Sequence, residues 1–151
     1  MRTYESALKD DSASLLIFRM ARLLRHGADG FMRDKGIGLT PEQWGLLWKV
    51  ARQEGCLQTD LADAVLKDHP NVTKMLDALE KRGLVDREPN PNDRRSNEVW
   101  LTEAGKALLD KHLPQLVEEK EEFFKGLDRT DLNRLITYLK TIQRNMERVF
   151  K

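Results

Sequence analysis

Cysteine is nearly absent from this sequence, and so are the segments that direct a chain into or across a membrane. A single cysteine among 151 residues excludes any disulfide within the chain and favours a reducing compartment. Residues 1–10 contain no apolar core of a signal peptide, and no run reaches the roughly 20 apolar residues that a bilayer-spanning helix needs. We therefore expect a soluble, cytoplasmic protein with no membrane segment.

The sequence also lacks an excess of charge of either sign. It has 26 Lys and Arg residues against 25 Asp and Glu residues, which gives a formal net charge of +1. Because the whole molecule is not a polycation, an argument for nucleic-acid binding must rest on where its cations lie. Charged residues make up 34% of the chain, which suits long solvated helices better than a thick globular core.

Groupings of residues that are typical of enzymes and metal sites are missing as well. The three histidines, His26, His69 and His112, lie far apart in the chain, and no Cys/His spacing of a zinc site occurs. Neither a Ser/His/Asp arrangement nor a glycine-rich phosphate loop is apparent. We therefore predict a protein without enzymatic activity, metal or cofactor.

The single cysteine, Cys56, is the one candidate for a redox switch. A reactive thiol needs exposure and nearby positive charge, whereas the close neighbours here are Glu54, Gln58 and Asp60. We favour an inert, half-buried thiol over a sensor.

Hydrophobic periodicity and capping signals predict a mainly α (α+β) chain with one small antiparallel β-hairpin. Strands over residues 84–88 and 98–101 flank a loop over residues 89–93, in which two prolines argue against strand or helix. Helices are predicted from Ser12 to Arg33, after the capping residues Thr40, Thr59, Thr102 and Asp128, and from a turn at residues 67–70 to Lys81 or Arg82.

The helix that follows the turn at residues 67–70 has two chemically different faces. Its apolar side carries Val72, Met75, Leu76 and Leu79, and its other side carries Asn71, Thr73, Lys74, Asp77 and Lys81. Amides and hydroxyls near a helix N-terminus can bond base edges and phosphates, and lysine can meet phosphate or guanine. His69 fits either a phosphate contact or a simple turn. The alternative for the whole face is an ordinary solvated helix surface.

The hairpin that follows this helix carries two arginines, Arg94 and Arg95, which we place at its tip. A narrow minor groove attracts arginine, and Asp93 could hold one guanidinium in a bidentate pair and aim it. Taken alone, the segment is more consistent with an exposed charged turn. Its position directly after a helix-turn-helix favours a wing, a hairpin that reaches DNA beside the recognition helix.

The last predicted helix has an apolar seam with near-heptad spacing, formed by Leu132, Leu135, Leu139, Ile142, Met146 and Val149. Such a seam is typical of a helix that packs against another helix. The first helix is apolar on more than one side, so we expect that it also meets both its own core and a partner.

Two motifs of the central region resemble those of one known family. The first is residues 70–85, Pro-Asn-Val-Thr-Lys-Met-Leu-Asp-Ala-Leu-Glu-Lys-Arg-Gly-Leu-Val, and the second is Asp93-x-Arg95-x-x-x-Val99-x-Leu101-Thr102-x-x-Gly105. They resemble the recognition helix and the wing of the multiple-antibiotic-resistance regulator (MarR) family, whose general layout matches from about residue 15 to residue 146. Asn71 departs from the family pattern, which more often has Thr or Ser there.

The resemblance implies a winged helix-turn-helix homodimer that binds pseudo-palindromic double-stranded DNA, usually to repress transcription. It also implies that the first and the last two helices build the dimer interface. A cleft between that interface and each DNA-binding lobe would accept a small effector, often phenolic or anionic.

We accordingly expect three parts, an N-terminal dimerisation helix (1–35), a winged helix-turn-helix domain (36–105) and C-terminal dimerisation helices (106–151). The alternative function is a winged-helix module that binds protein without DNA, which the near-neutral charge keeps open. The expected DNA-binding residues are His69, Asn71, Thr73 and Lys74 on the helix, and Arg94 and Arg95 on the hairpin with Asp93 positioning one of them.

Overall fold

The computed structural model describes residues 12–64 and 69–150, and it confirms the mainly α fold with a small antiparallel sheet. These residues form two compact units, whose boundary lies between His112 and Leu113. The elements in chain order are α1 (Ala13–Asp34), α2 (Pro41–Arg52), β1 (Cys56–Leu57), α3 (Gln58–Ala64), α4 (His69–Lys81), β2 (Val85–Asn90), β3 (Asp93–Leu101), α5 (Glu103–Phe123) and α6 (Arg129–Val149).

The helix starts follow the local capping chemistry of the sequence. Thr40 caps α2 with a full capping box, in which its hydroxyl accepts from the Gln43 N–H and the Gln43 side chain accepts from the Thr40 N–H. Pro41 takes the first helical position, where its missing N–H costs nothing. Asp128 caps α6 in the same reciprocal way with Asp131. These predicted starts are confirmed because the signals that set them lie within one helical turn.

Two predicted boundaries in the helix-turn-helix are wrong. Thr59 does not cap α3, because the helix already begins at Gln58, directly after the short strand β1. His69 and Pro70 do not lie in a turn, because they form the first residues of α4. The remainder of the predicted turn, residues 67 and 68, lies outside the described residues.

A three-stranded antiparallel sheet, in the order β1–β3–β2, supports the hairpin. The sequence did not predict β1, which has only two residues and pairs Cys56 with Val99. Gly55 precedes it with a φ of 68°, and a Cβ at that position would lie 2.7 Å from the Trp100 ring. Glycine is therefore required both for the left-handed backbone and for the approach of the ring.

The hairpin loop is shorter than the sequence suggested. Strand β2 continues through Pro89 to Asn90 and β3 begins at Asp93, so that only Pro91 and Asn92 separate them. The prediction of a loop over residues 89–93 is therefore wrong. Because β2 is an edge strand of this sheet, it has one side without a partner strand and tolerates a proline that cannot donate a hydrogen bond.

The core of the first unit lies within the winged helix-turn-helix. Its fully buried side chains are Ile37, Leu46, Leu47, Val50, Cys56, Leu61, Val72, Leu76, Leu79, Val85 and Val99. Every element from α2 to β3 contributes at least one of these residues. The recognition helix and the base of the hairpin therefore share one packed core, which holds them in fixed positions.

The junction between the sheet and α5 explains the end of the second motif. The Thr102 hydroxyl donates to the Gly83 carbonyl at 2.6 Å and accepts from the Gly105 N–H at 3.0 Å. A Cβ on Gly105 would overlap the carbonyl oxygen of Leu84. Thr102 and Gly105 therefore let the start of α5 lie directly against the chain that leaves α4.

The second unit contains the amphipathic helix α6, none of whose residues is buried. Along its apolar seam, Leu139 is 39% exposed and Val149 is 73% exposed. A seam of this length is unusual on a surface that meets only water. Among the helices of the described ranges, none combines the length and apolarity that crossing a lipid bilayer would take.

Candidate nucleic-acid interface

The recognition helix α4 is held by its apolar side, and its polar side faces outward. Val72, Leu76 and Leu79 are fully buried, whereas Asn71 and Lys74 are exposed. The helix ends in a Schellman motif, in which the Leu84 N–H donates to the Leu79 carbonyl at 3.0 Å. Asn71 and Lys74 are one helical turn apart, so they present an amide and an ammonium on the same side.

An open notch of about 390 Å³ lies between α4 and the N-terminus of α2. Asn71, Lys74 and Met75 line one side of it, and Thr40, Glu42 and Gln43 line the other. Two of the predicted DNA-binding residues therefore lie side by side on an accessible polar surface. This is an arrangement that suits contact with base edges and phosphates.

Thr73, the third predicted residue of α4, is half-buried and has a different setting. Its hydroxyl accepts a 2.8 Å hydrogen bond from the side-chain amide of Gln58, the first residue of α3. The Gln58 oxygen is buried and has no hydrogen-bond partner among the described residues. Gln58 was not predicted as a site residue, because only the tertiary packing of α3 on α4 brings it to Thr73.

The arginines of the hairpin lie on a bulge rather than at the tip. Pro89 pairs with Asn97 and Asn90 pairs with Asp93, so one step along β2 corresponds to four steps along β3. The three intervening residues, 94–96, are therefore extra residues on β3 with no pairing partner on β2. Because Pro91 and Asn92 form the tip, the predicted placement of the arginines there is corrected. Arg95 is exposed.

Asp93 organises the backbone of this bulge. Its carboxylate accepts from the backbone N–H of Arg95 at 2.9 Å, and its carbonyl accepts from the Ser96 hydroxyl at 3.1 Å. We expected a bidentate contact with an arginine side chain, but no ion pair joins Asp93 to the guanidinium of Arg95 in the structure. The side chains of Arg94 and His69 lie outside the described residues. Asp93 therefore positions Arg95 through its main chain.

A further arginine, Arg87 on β2, connects the hairpin to the recognition helix. Its guanidinium donates to the carboxylate of Asp77 at 2.7 Å and, through Nε, to that of Glu80 at 3.2 Å. The hydrogen bond from Arg87 lowers the pKa of Glu80 below its ordinary value. Arg87 was not among the predicted site residues. It does share the strand face of buried Val85, and a charge on such a face indicates a paired partner.

The other end of α4 is tied to the segment before α2. Arg82 donates to the carbonyl oxygens of Gly38 at 2.6 Å and Ile37 at 3.0 Å. Each of these carbonyls precedes the Thr40 cap of α2. The segment that leads into α2 is therefore held against the C-terminal end of α4.

Two titratable groups of the first unit are buried away from this surface. Cys56 is 2% exposed, and burial raises the pKa of its thiol, which disfavours the reactive thiolate. His112 is 6% exposed, and its Nδ1 has no hydrogen-bond partner among residues 12–64 and 69–150. Burial lowers the pKa of His112, and the positive charges of Lys111 and Lys35 lower it further. Within the same ranges, no three His, Cys, Asp or Glu residues are grouped as metal ligands.

Comparison with known sequences identifies the family of this module. A sequence model described as the MarR family matches residues 39–97. The transcriptional regulator HosA of Escherichia coli O111:H- is 32% identical over 106 residues, which cover 63% of this chain and 78% of HosA. A regulatory protein for the hcr operon of Thauera aromatica is 30% identical over 107 residues, which cover 71% of this chain but only 64% of that relative.

Solved structures have the same fold. The transcriptional repressor CouR bound to a 23-mer DNA duplex is 30% identical, with a TM-score of 0.75 over 90% of this chain and 98% of CouR. CouR from Rhodococcus jostii RHA1 bound to p-coumaroyl-CoA gives a TM-score of 0.79 at 26% identity, over 88% of this chain and 92% of that one. Both the sequence motifs and the winged helix-turn-helix geometry therefore lead to one conclusion: the chain belongs to the MarR family of transcriptional regulators.

Proposed function

We propose that this regulator binds a pseudo-palindromic DNA operator as a homodimer and represses transcription from it. The observation that carries the proposal is the polar surface of α4, where Asn71 and Lys74 lie exposed beside the N-terminus of α2. Each protomer would place α4 in a major groove, and the two copies would occupy half-sites about one helical turn apart. CouR, a relative of the same fold, is a repressor bound to a DNA duplex.

Different residues of each protomer would contact different parts of the DNA duplex. Asn71 and Lys74 would contact base edges or phosphates in the major groove, with Thr73 beside them. Arg94 and Arg95 would reach the neighbouring minor groove or its phosphates, and His69 would contact a phosphate at the start of α4. Asp93 would hold the backbone of Arg95 in the bulge from which this contact is made.

Dimerisation would use the apolar surfaces of α1, α5 and α6, in agreement with a three-part chain of residues 1–35, 36–105 and 106–151. The exposed seam of α6 supports this assignment, since a second copy would cover it. A small-molecule effector would regulate binding, as p-coumaroyl-CoA binding to CouR suggests. An effector that favours a spacing of the two lobes unsuited to DNA would weaken binding by population shift.

The regulator would act in the cytoplasm. It would have no enzymatic activity, because repression requires only reversible binding. This follows the pattern of its relatives, which are named as transcriptional regulators rather than enzymes.

The test is selection of bound duplexes from a random DNA pool, followed by salt titration of the selected operator. We expect an inverted repeat and a negative slope of log affinity against log salt. Lys74→Ala should cost about 1–3 kcal/mol and relax the base preference if Lys74 contacts a base edge. Lys106→Ala, which removes an exposed cation from α5, is the matched control.

The outcomes separate the two candidate functions. Selection that returns no sequence, together with binding that does not depend on salt, would favour the protein-binding module that the near-neutral charge allows. Uniform weakening of all duplexes by Lys74→Ala would instead assign this lysine to a phosphate contact.

A further inference from the structure

One ion-pair network joins the recognition helix to the hairpin. Arg87 on β2 bonds the carboxylates of Asp77 and Glu80, which lie on successive turns of α4. We call these three side chains the Arg87 bridge. Within it, the Arg87 side chain is only 19% exposed, while those of Asp77 and Glu80 are 55% and 38% exposed. Partial burial of the guanidinium makes its geometry more constrained than that of an ordinary surface ion pair.

The position of Arg87 in the sheet transmits this constraint to the wing. Arg87 pairs with Val99 of β3, a fully buried residue that also pairs with Cys56 of β1. The same strand β3 carries the bulge of residues 94–96, which includes Arg95 and ends directly before Asn97. Because Arg87 is bonded to α4, it holds β2 and its partner β3, and therefore the wing, in place relative to that helix.

Arginine suits this task because its planar fork can bond two carboxylates at once. Lysine carries the same charge, but its single ammonium has no fixed fork and cannot reproduce the paired geometry. The bridge also places two acidic side chains on the helix that we assign to DNA. Carboxylates there would repel phosphates, and their ion pairs with Arg87 offset that charge.

We propose that Arg87 is a positioning residue that holds the wing at a set distance and angle from the recognition helix. DNA contacts from α4 and from Arg95 are then made to the same duplex at the same time. The inference rests on the proposed DNA-binding function. It assigns Asp77 and Glu80 a role in specificity, although both are anionic.

A purely electrostatic role for Arg87 predicts the opposite change in DNA affinity for the variant Glu80→Ala. If Arg87 served only to neutralise carboxylates, Glu80→Ala would remove a negative charge near DNA and strengthen binding to every duplex. If the bridge sets the geometry, Glu80→Ala should weaken binding to the operator in spite of the more favourable charge. The sign of this single effect therefore decides between the two.

The experiment compares the selected operator with an unrelated duplex of equal length at one salt concentration. The variants are Arg87→Lys, Glu80→Ala and the double variant, beside wild type. Glu103→Ala is the control, since it removes a 93% exposed carboxylate from α5. Circular dichroism and thermal unfolding confirm that each variant is folded. Arg87→Lys keeps the charge and most of the stem, so folding should survive even where Arg87→Ala fails.

We expect Arg87→Lys and Glu80→Ala each to lower the ratio of operator to unrelated-duplex affinity by about fivefold or more, a typical coupling for contacting residues. The double variant should lose little more than either single variant, because both remove the same bridge. Stronger binding of both duplexes by Glu80→Ala, or an unchanged ratio in both single variants, would overturn the proposal while leaving DNA binding intact. A wild-type protein that binds no duplex would overturn the proposed function itself, and this inference with it.

Discussion

The side-chain amide of Gln58 donates a 2.8 Å hydrogen bond to the hydroxyl of Thr73, so the first residue of α3 orients a residue of the recognition helix. Because the Thr73 oxygen accepts this bond, its own proton is directed toward another acceptor. Gln58 thereby influences what Thr73 can contact without itself having to touch DNA.

We expect Gln58→Leu to change DNA recognition more than stability. Operator affinity should fall by about tenfold, or about 1.4 kcal/mol, because the Thr73 hydroxyl loses the hydrogen bond from Gln58. The folding free energy should change little, since the substitution also removes a buried oxygen that has no partner among the described residues. Fluorescence anisotropy with operator DNA and urea unfolding measure the two effects. Gln53→Leu, at an exposed glutamine just after α2, is the control. Equal losses of operator affinity in Gln58→Leu and Gln53→Leu would refute the role of Gln58.

Arg95→Ala should weaken operator binding by at least about tenfold, or about 1.4 kcal/mol, and leave the protein folded. If the contact is ionic, the negative slope of log affinity against log salt should decrease in magnitude by about one. Asp93→Ala should act in the same direction but more weakly, because it frees the backbone of Arg95 without removing the cation. A salt titration of these variants, Arg94→Ala and the control Arg129→Ala measures the effects. Wild-type affinity in both Arg95→Ala and Arg94→Ala would mean that the hairpin makes no DNA contact.

Gly105→Ala should destabilise the protein by about 1–3 kcal/mol or more, as is typical of overpacking. The added Cβ would overlap the backbone oxygen of Leu84, which cannot move without shifting the chain between α4 and β2. Gly45→Ala in α2 is the matched control, because no atom lies within 4 Å of its added Cβ. That substitution should stabilise the helix by about 0.5–1 kcal/mol. Thermal unfolding of both variants checks the prediction, which is wrong if both substitutions change the free energy of unfolding in the same direction.

Replacing Leu139 and Ile142 of α6 by glutamate should abolish the dimer and operator binding. Both residues belong to the apolar seam that a second copy would cover, and a buried carboxylate without a partner is costly. The control replaces Thr137 and Thr141, two exposed residues on the polar side of the same helix, by glutamate. Sedimentation equilibrium should show a wild-type and control dimer at micromolar concentration. A well-folded wild-type monomer under those conditions would contradict the dimer assignment.

His112 should make the folded state less stable in mild acid. Because its pKa in the folded state lies below the ordinary value of 6.5, the unfolded chain binds more protons between the two values. The free energy of unfolding should therefore be highest above about pH 6.5, and fall as the pH decreases from there through the lowered folded-state pKa. Urea unfolding between pH 5 and pH 8 should give a flatter profile for His112→Gln than for wild type. A His112→Gln profile as steep as that of wild type would refute the assignment.

Much of the fold could be predicted because its signals are local. The capping boxes at Thr40 and Asp128, the glycine after α4 and the amphipathic pattern of α4 each act within a few residues. The paired motifs of α4 and the wing also indicated the MarR family before any geometry was known. These motifs are specific because some of their positions accept only one residue type. At Gly105, for example, a Cβ would overlap the backbone oxygen of Leu84.

The tertiary structure alone decided the details of the candidate site. Strand β1 is too short to have a pattern of its own and exists because β3 offers it a partner. The bulge that carries Arg95 is visible only in the register between β2 and β3. Gln58 meets Thr73 across 15 positions of sequence and Arg87 meets Asp77 across 10. Hydrogen bonds between side chains that are distant in sequence depend on how the helices and strands pack. The sequence shows which residues can form hydrogen bonds, but it does not show which of them lie close together in the folded protein.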